Sequence, residues 1–541
     1  MKKFILIIFY MPLFTYSQSN QIYIDGYFED WVNINNYADP NDNIESGVDF
    51  INISVTNDDK YLYIKFETNE EIDLSDGNYD IELLLDTDNN NITGWSPGFN
   101  DNIGAEIGIM FNQRFFWYNV PETDLQLSLY DMDIYPAPTV TSNQFEIAIA
   151  LDSEYEEQLL FPNSEIKIQL TDWVSNDKIP NNNSEIIYTI QSNNQSYSQI
   201  QIPKTNNDLI RLTAYNVLNN GFNNEERMEG LKNILQSLNS DIFAFSECGN
   251  TTTQSIKNIL DEILNLNTEL GWFVVKKDGD DLIIASKFPI SAHWPSEDSG
   301  IKKMHPCLID LPDNLYAQDL LVVNAHMSCC GSDSLRQIQA DDFVNFILDA
   351  KSEGGIIDLA ESTPFVLCGD LNLVGYSQQL TTLITGEIIN TSLFGQGGGM
   401  NWADNNLKDQ VCWNTEQPLS YTWRDISPNE GIPGSYPHGR LDFIIFSDDV
   451  MYAEKSFSID TELMSQQILN TNNLFIDDSK ASDHLAITTD FSLPNLLSNH
   501  PNKLEKKKIN HFDILGKDSN HRNFIIEIYD NGEIEKKYFI K

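Results

Sequence analysis

Basic residues are scarce in this chain of 541 residues: 33 Lys and Arg stand against 81 Asp and Glu, a formal charge of −48. Proteins that grip a nucleic-acid backbone neutralise its phosphates with clustered Lys and Arg, yet only six such cations lie between residues 18 and 204. The balance argues against tight, sequence-independent nucleic-acid binding and suits solubility in a salty exterior. Long apolar runs are also missing. After residue 17 no stretch approaches the ~20 apolar residues that a membrane-spanning helix needs. The six cysteines, Cys248, Cys307, Cys329, Cys330, Cys368 and Cys412, all fall between residues 205 and 495, and no C-x-x-C pair meets a second ligand pair, which excludes a zinc site of the usual spacing. The eight histidines are absent from residues 19–203, so histidine chemistry belongs further along.

The chain is long enough for two or three domains. It opens with Lys2-Lys3, an apolar run from Phe4 to Phe14, and Thr15-Tyr16-Ser17. That pattern predicts a signal peptide over residues 1–17 and a secreted or surface-attached product. An exported protein permits disulfides, and a bridge joining Cys329 or Cys330 to Cys368 would brace the strands carrying His326 and Asp370; buried free thiols are the alternative.

Residues 19–203 read as an all-β sandwich. Period-2 runs such as Ile51–Thr56, Tyr61–Phe66, Ile81–Leu85 and Ile166–Leu170 are separated by Asn/Asp/Gly/Pro clusters. The loop Asp86-Thr87-Asp88-Asn89-Asn90-Asn91-Ile92-Thr93-Gly94 sets Asp86, Asp88 and Asn90 at alternate positions, hard oxygens suited to Ca²⁺. It lacks the sixth-position Gly and twelfth-position Glu of an EF-hand, and a metal-free Asx turn is the alternative. A last strand is expected at Ile200–Ile202, with residues 204–208 as the boundary. Beyond it strands alternate with helices: a strand over 210–217, a helix over 225–238 with Met228, Leu231, Ile234, Leu235 and Leu238 at helical spacing, a strand over 242–246, a helix over 335–351 and a strand over 364–368. That alternation predicts an α/β layered domain over 205–495.

Within that domain, polar residues end or precede apolar runs in a fixed order: Thr213-Ala214-Tyr215-Asn216, Ser246-Glu247, Asn324-Ala325-His326, Gly369-Asp370-Leu371-Asn372, Arg440-Leu441-Asp442-Phe443 and Ser482-Asp483-His484. A strand end fixes a side chain while leaving it within reach of solvent, which is where open sheets place chemistry. The set of Asn, Asp, Glu and His suits a hard divalent cation and a general base.

These clusters, with Ile283-Ile284-Ala285-Ser286-Lys287-Phe288-Pro289, Arg336-Gln337-Ile338-Gln339-Ala340 and Tyr421-Thr422-Trp423, resemble the endonuclease/exonuclease/phosphatase superfamily over roughly residues 208–492. The resemblance implies a four-layer sandwich, two β-sheets flanked by helices, and a Mg²⁺- or Mn²⁺-dependent phosphoesterase. It implies Asn216, Glu247 and Asp483 as metal ligands and His484 as general base held by Asp442. It further implies that Asp370 and Asn372 position water and phosphoryl group, and that His326 contacts phosphate or leaving oxygen. The opening Ile24-Asp25-Gly26 and Asp30-Trp31, with the Asp86 loop, resemble a family-9-type carbohydrate-binding or DOMON-like module, which implies a polysaccharide or cell-surface ligand. The tail 504–541, with Asp513-Ile514-Leu515-Gly516-Lys517 and a Lys-rich end, resembles the type-IX sorting domain of Gram-negative exporters.

The leading reading is an exported phosphodiesterase, or monoesterase. Its main alternative is an extracellular DNase, for which Lys276-Lys277 and Lys302-Lys303 are the few cleft-rim cations. An inactive adhesin is disfavoured by the intact cluster set. A sphingomyelinase would need an exposed apolar hairpin, and none stands out. Arg336 reads as a helix-start ion pair, Trp423 as packing, and His293, His305 and His438 as surface loop histidines, with His438 near enough to Arg440 to reach the cleft. Every expected catalytic residue lies within 205–495, so that span alone is expected to carry the activity, the sandwich serving as a tether.

Overall fold

The computed structural model describes residues 21–40, 47–75, 77, 79–96, 103–119, 126–181, 184–192, 197–266, 268–295, 301–425 and 432–494, and the backbone of 508–512, 524–529 and 534–538. Residues 1–17, expected as a signal peptide, and the Asp513–Lys517 motif lie outside the described residues. The chain divides into two units: Met1–Leu311 with Gln318–Leu493, and Pro312–Ala317 with Pro494–Lys541.

In the first unit, the period-2 segments of residues 21–190 form two facing sheets. Among the described residues, one runs Asn36–Ala38, Phe50–Asn57, Tyr61–Ile72, Ser142–Ala150, Ile134–Ala137. The other runs Lys178–Ile179, Glu165–Asp172, Ile81–Asp86, Ile107–Met110, Phe115–Tyr118, Gln126–Ser128, with Ile186–Thr189 also paired to Glu165–Asp172. Alternate side chains, among them Ile53, Leu62, Ile64, Phe66, Leu83, Leu85, Phe116, Phe145, Ile147 and Ile168, close the core between the sheets. Each such burial stabilises by about 1.5–3 kcal/mol.

The following segment builds a second pair of sheets. The first runs Phe273–Lys276, Ile283–Ser286, Ile242–Ser246, Ile210–Asn216, Ala486–Ser492, Tyr452–Ile459, Trp413–Asn414. The second runs Ile290–His293, Met304–Ile309, Leu320–His326, Phe365–Asp370, Asp442–Phe446, Lys408–Asp409. Helix Glu225–Leu238 starts where the Asn224 side chain accepts from Glu226 N, and stops at left-handed Asn239. It buries Leu231, Ile234, Leu235 and Leu238 in the cluster containing Phe243 and Phe245 of the first sheet. Helix Asp333–Ala350 buries Phe343, Val344 and Ile347 with Leu321, Val323 and Leu367 of the second. Helices therefore cover the outer faces of two packed sheets, as the alternation predicted. Fully buried Asn324 staples the sheets together: its Nδ2 on the second donates to Phe245 O (2.9 Å) and Ile283 O (3.1 Å) on the first.

The two halves of this unit are fused rather than strung together. Ile24 pairs with Leu419 as a parallel bridge, and Ile22, Ile24, Tyr61, Tyr135 and Ala148 share one apolar cluster with Leu419, Tyr421 and Leu485. Tyr135 stacks on Tyr421 at 5.4 Å, and His438 lies against Tyr130, Tyr135 and Tyr421 with ring centroids 4.3–4.6 Å apart. Thr139 Oγ1 accepts from Arg440 N (2.8 Å), and Thr141 N donates to Gly375 O (2.9 Å).

Several expectations change. Ile200–Ile202 is not a strand; Ile200 N donates to Thr415 O and Ile202 joins the core of the second half, because its partners are loops rather than a strand edge. All six cysteines are free thiols, although Asn324 and Cys368 sit side by side on adjacent strands. Cys329 and Cys330 lie exposed in the loop beyond His326, whereas Cys368 is buried. His305 and His438 are buried, and only His293 is exposed.

In the second unit, Lys508–Phe512, Phe524–Tyr529 and Ile534–Tyr538 form an antiparallel meander.

Candidate active site

Strand register gathers the polar clusters at one edge of the paired sheets. Ile210–Asn216 and Ile242–Ser246 run parallel and end together, Asn216 opposite Ser246. Leu320–His326 and Phe365–Asp370 also run parallel and end with His326 opposite Asp370, while the antiparallel strand beginning at Asp442 sets that residue opposite Asp370. Asp483 and His484 precede Ala486–Ser492, which pairs antiparallel with Ile210–Asn216. Parallel strands contribute their last residues and antiparallel ones their first, so all six clusters reach one rim.

Backbone conformation explains some of the residue types. Gly369 has φ +125°, and a Cβ there would lie 2.2 Å from Ala325 O; the chain passes this point only as glycine. Asn372 (φ +50°) and Glu247 (φ +58°) are left-handed. For Asn this conformation is tolerated, whereas at Glu247 it marks a strand end held by its contacts.

Asp370 is the hub. Its Oδ2 accepts from Asn216 Nδ2 at 3.0 Å and lies 3.6 Å from both His326 Nε2 and His484 Nε2. Its Oδ1 accepts from Asn372 N at 2.9 Å, and Asn372 Nδ2 donates to Met327 O at 3.0 Å. Each imidazole is backed by a carboxylate on Nδ1: His484 by Asp442 Oδ2 at 2.7 Å, His326 by Asp281 Oδ2 at 2.8 Å. Asp442 N and Leu441 N both donate to Thr422 Oγ1 (2.9 and 3.0 Å), and Leu485 N donates to Thr422 O, so the aromatic loop locks Asp442 and His484 together. Asn216 Nδ2 also reaches Glu247 Oε1 at 3.1 Å. Asp483 stands beside this group and accepts from Trp423 Nε1 at 3.3 Å, which makes Trp423 a site residue as well as packing.

The rim is drier than a strand end in open solvent. Asp370, Asp442 and His484 are buried; His326, Glu247 and Asp483 are partly exposed. Burial pushes the Asp370 carboxyl up to about 6, with Asp442 adding to it against the pull of His484 and His326. Burial opposes charge on His484, but Asp442 and Asp370 outweigh it and lift the imidazole to about 10. His326 is raised in the same manner, burial being overcome by Asp281 and Asp370. Asp281 is held down to about 2, its burial outweighed by His326. The surrounding carboxylates thus favour the protonated form of both imidazoles, while burial favours the neutral form of the carboxyl between them.

Asp281 is the residue that sequence reasoning missed. The available signal was its position two residues before the apolar strand Ile283–Ser286. Thr422 had been noticed only within an aromatic loop. Of the lysines expected at the cleft rim, Lys276 Nζ donates to Cys248 O, Gly249 O and Thr251 O, buried Lys277 to Ile301 O, and Lys303 pairs with Asp280, while Lys302 is exposed. Arg336 is fully buried, pairing with Asp333 at 2.7 Å and donating to Ser328 O and Cys330 O. His438 does not join the Asp370 group; it lines a cavity of about 210 Å³ against the sandwich, with Asp25, Tyr27 and Arg440. In the sandwich loop, Asp86 and Asp88 come together with Glu106, whereas Asn90 is exposed and its Oδ1 accepts from Ile92 N.

The model of the endonuclease/exonuclease/phosphatase family matches residues 213–484, half of the chain, and the chain belongs to that family. Its members are hydrolases of phosphoester bonds, typically dependent on a divalent metal, and Asp370, Asp442 and His484 form a group able to hold one. No curated protein matches the chain. Among solved structures, the chain is similar to the human nocturnin catalytic domain, 14% identical over 53% of this chain and 95% of that one (TM-score 0.33). It is also similar to an endonuclease/exonuclease/phosphatase family protein from Leptotrichia buccalis, 15% identical over 52% and 100% of the two chains (TM-score 0.34). Beta toxin from Staphylococcus aureus is 16% identical over 52% and 99% (TM-score 0.30).

Proposed function

We propose that this protein is an exported phosphodiesterase that works with Mg²⁺ or Mn²⁺. The observation that carries the reading is the convergence of His326 Nε2, His484 Nε2 and Asn216 Nδ2 on Asp370 Oδ2. The donor set fits a hard cation. Glu247, Asn216, Asp483 and Asp370 offer oxygens, burial raises Asp370 and Asp483, and Asp442 Oδ1 is buried without a hydrogen-bond partner, so negative charge here exceeds what the two imidazoles offset. Glu247, Asn216 and Asp483 would hold the ion, which when bound neutralises charge on the phosphoryl oxygens.

The chain's own groups supply the rest. Asp370 Oδ2 takes the proton lost by the attacking water, with His484 Nε2–H beside it and Asp442 fixing the ring through Nδ1. This moves the accepting atom from His484, the expected base, to the Asp370–His484 pair, because three carboxylates keep His484 protonated. His326 Nε2–H, oriented by Asp281, donates to a phosphoryl or leaving oxygen. Asn372 holds Asp370 in place through its backbone N–H. The sandwich acts as a brace: Thr139 and Thr141 hold the segments leading to Asp442 and away from Asn372.

Full-length protein with Mn²⁺ or Mg²⁺ should hydrolyse bis-p-nitrophenyl phosphate faster than p-nitrophenyl phosphate, and plasmid DNA poorly, since Lys276, Lys277 and Lys303, counted for a DNA rim, are held by protein oxygens. Faster turnover of the monoester would replace the diesterase reading. Export rests on the pattern of residues 1–17, and N-terminal sequencing of protein from the culture medium tests it.

A further inference from the structure

Away from the active site, the sandwich carries a second acidic constellation that the phosphodiesterase reading does not use. The loop segment 87–96 after strand Ile81–Asp86 meets residues 103–106, which lead into strand Ile107–Met110, and one ligand oxygen each from Asp86, Asp88 and Glu106 lies within 4.8 Å of the others. Asp86 and Glu106 are 0% and 6% exposed. Glu106 Oε2 accepts from Thr87 N at 2.8 Å, but its Oε1 is buried without a partner. Asp86 Oδ1 accepts from Asn90 N at 3.1 Å, and Asp86 Oδ2 faces Lys167 Nζ at 3.5 Å, a cation shared with Glu185 at 3.4 Å. One shared lysine stands against three carboxylates. An unpaired buried carboxylate oxygen is costly, and burial, with Asp88 and Asp86 adding, pushes Glu106 up to about 7.

The surrounding backbone is shaped to leave room beside Glu106 Oε1. Gly94 and Gly104 both have φ +66°, and a Cβ on Gly94 would lie 2.6 Å from Glu106 Oε1 and 2.5 Å from Gly104 O and Ala105 O. Trp95 and Ala105 exchange two backbone hydrogen bonds (2.7 and 2.8 Å) that lock the limbs of the loop together. Asp88 is secured by Thr93 Oγ1 at 2.9 Å.

We propose that Asp86, Asp88 and Glu106 form a calcium site that pins this loop to the sandwich. All the side-chain donors are carboxylate oxygens, the ligand class of Ca²⁺. Ca²⁺ accepts an irregular set of oxygens at about 2.3–2.6 Å, whereas Mg²⁺ demands a near-ideal octahedron and usually keeps several waters. Three protein carboxylates converging on one point therefore favour Ca²⁺. Glu106 replaces the Asn90 that alternate spacing suggested, and it comes from the far end of the loop, just before strand Ile107–Met110.

Terbium luminescence in the full-length protein tests this, because Trp95 is hydrogen-bonded to Ala105, next to Glu106, and packs edge-on against Trp117 and tilted against Trp173. Excitation through tryptophan should sensitise bound Tb³⁺, and Ca²⁺ should displace it at concentrations where Mg²⁺ does not. Glu106→Gln and Asp88→Asn should each lower the sensitised emission at least about tenfold and remove the rise in Tm on adding Ca²⁺, while hydrolysis of bis-p-nitrophenyl phosphate stays unchanged. Asp88→Asn, at a half-buried position, serves if Glu106→Gln fails to fold. Emission retained in the folded variants, or displaced equally by Mg²⁺, would overturn the site. A chain inactive on every phosphoester could still bind Ca²⁺ here, so the two proposals fail separately.

Discussion

His326 and His484 meet across a single atom: each sets its Nε2 3.6 Å from Asp370 Oδ2, and each is held from behind by an aspartate. The arrangement is nearly symmetric in chemistry but not in exposure, since His484 is buried and His326 partly open. The buried imidazole is suited to holding the proton-accepting carboxylate, and the open one to meeting substrate.

Asp281→Asn should therefore lower kcat by about tenfold to a hundredfold with little change in KM, because it removes the charge that keeps His326 protonated and oriented. The rate profile should lose its alkaline limb earlier than in the parent, as His326 then deprotonates at lower pH. An unchanged kcat and pH profile would reduce Asp281 to a loop residue.

Removing residues 1–204 should damage the hydrolase, contrary to a tethering role. The cut exposes Leu419, Tyr421 and Leu485, buried against Ile24, Tyr61 and Tyr135, and frees Arg440 N and Gly375 O from Thr139 and Thr141. Residues 205–495 alone should melt well below the full chain or fail to stay soluble. A fragment with the parent's Tm and kcat would restore the tether. Within the full chain, Thr139→Val should lower kcat modestly while leaving Tm within a few degrees.

Asp25 makes the same interface pH-sensitive. Burial, with Asp30 adding and the Tyr27 N–H opposing, lifts its carboxyl from 3.8 to about 7. The fold thus favours the protonated form. That stabilisation is complete below the unfolded value near 3.9 and is lost as pH rises through 7. In EDTA, Tm of the parent should fall between pH 5 and pH 8 more steeply than Tm of Asp25→Asn. Parallel slopes would remove Asp25 from the account.

Much of the candidate site was legible because each residue there follows or precedes an apolar run, and strand register alone then brings those ends together. Asp281 was not, since in a chain with 81 acidic residues one more Asp in a loop carries no periodic signal. His438 looked like a surface residue because its burial depends on Tyr130 and Tyr135, some 300 positions away. The fusion of the two halves was hidden for the same reason: Leu419 and Tyr421 sit in a loop without periodicity, and their partners belong to another domain. Glu106 escaped the loop-spacing argument because it stands 18 positions beyond Asp88, just before the next strand.

The most direct test of the central claim is the metal-dependent rate of full-length Asp370→Asn and His484→Ala on bis-p-nitrophenyl phosphate, each variant confirmed as folded by its Tm. Both positions are buried, so some loss of stability is expected alongside the kinetic effect. With saturating Mn²⁺, each folded variant should lose about 10²–10⁴-fold in kcat, and EDTA should abolish the parent's activity. Parent-like turnover by either folded variant, or full activity of the parent after exhaustive chelation, would contradict the account.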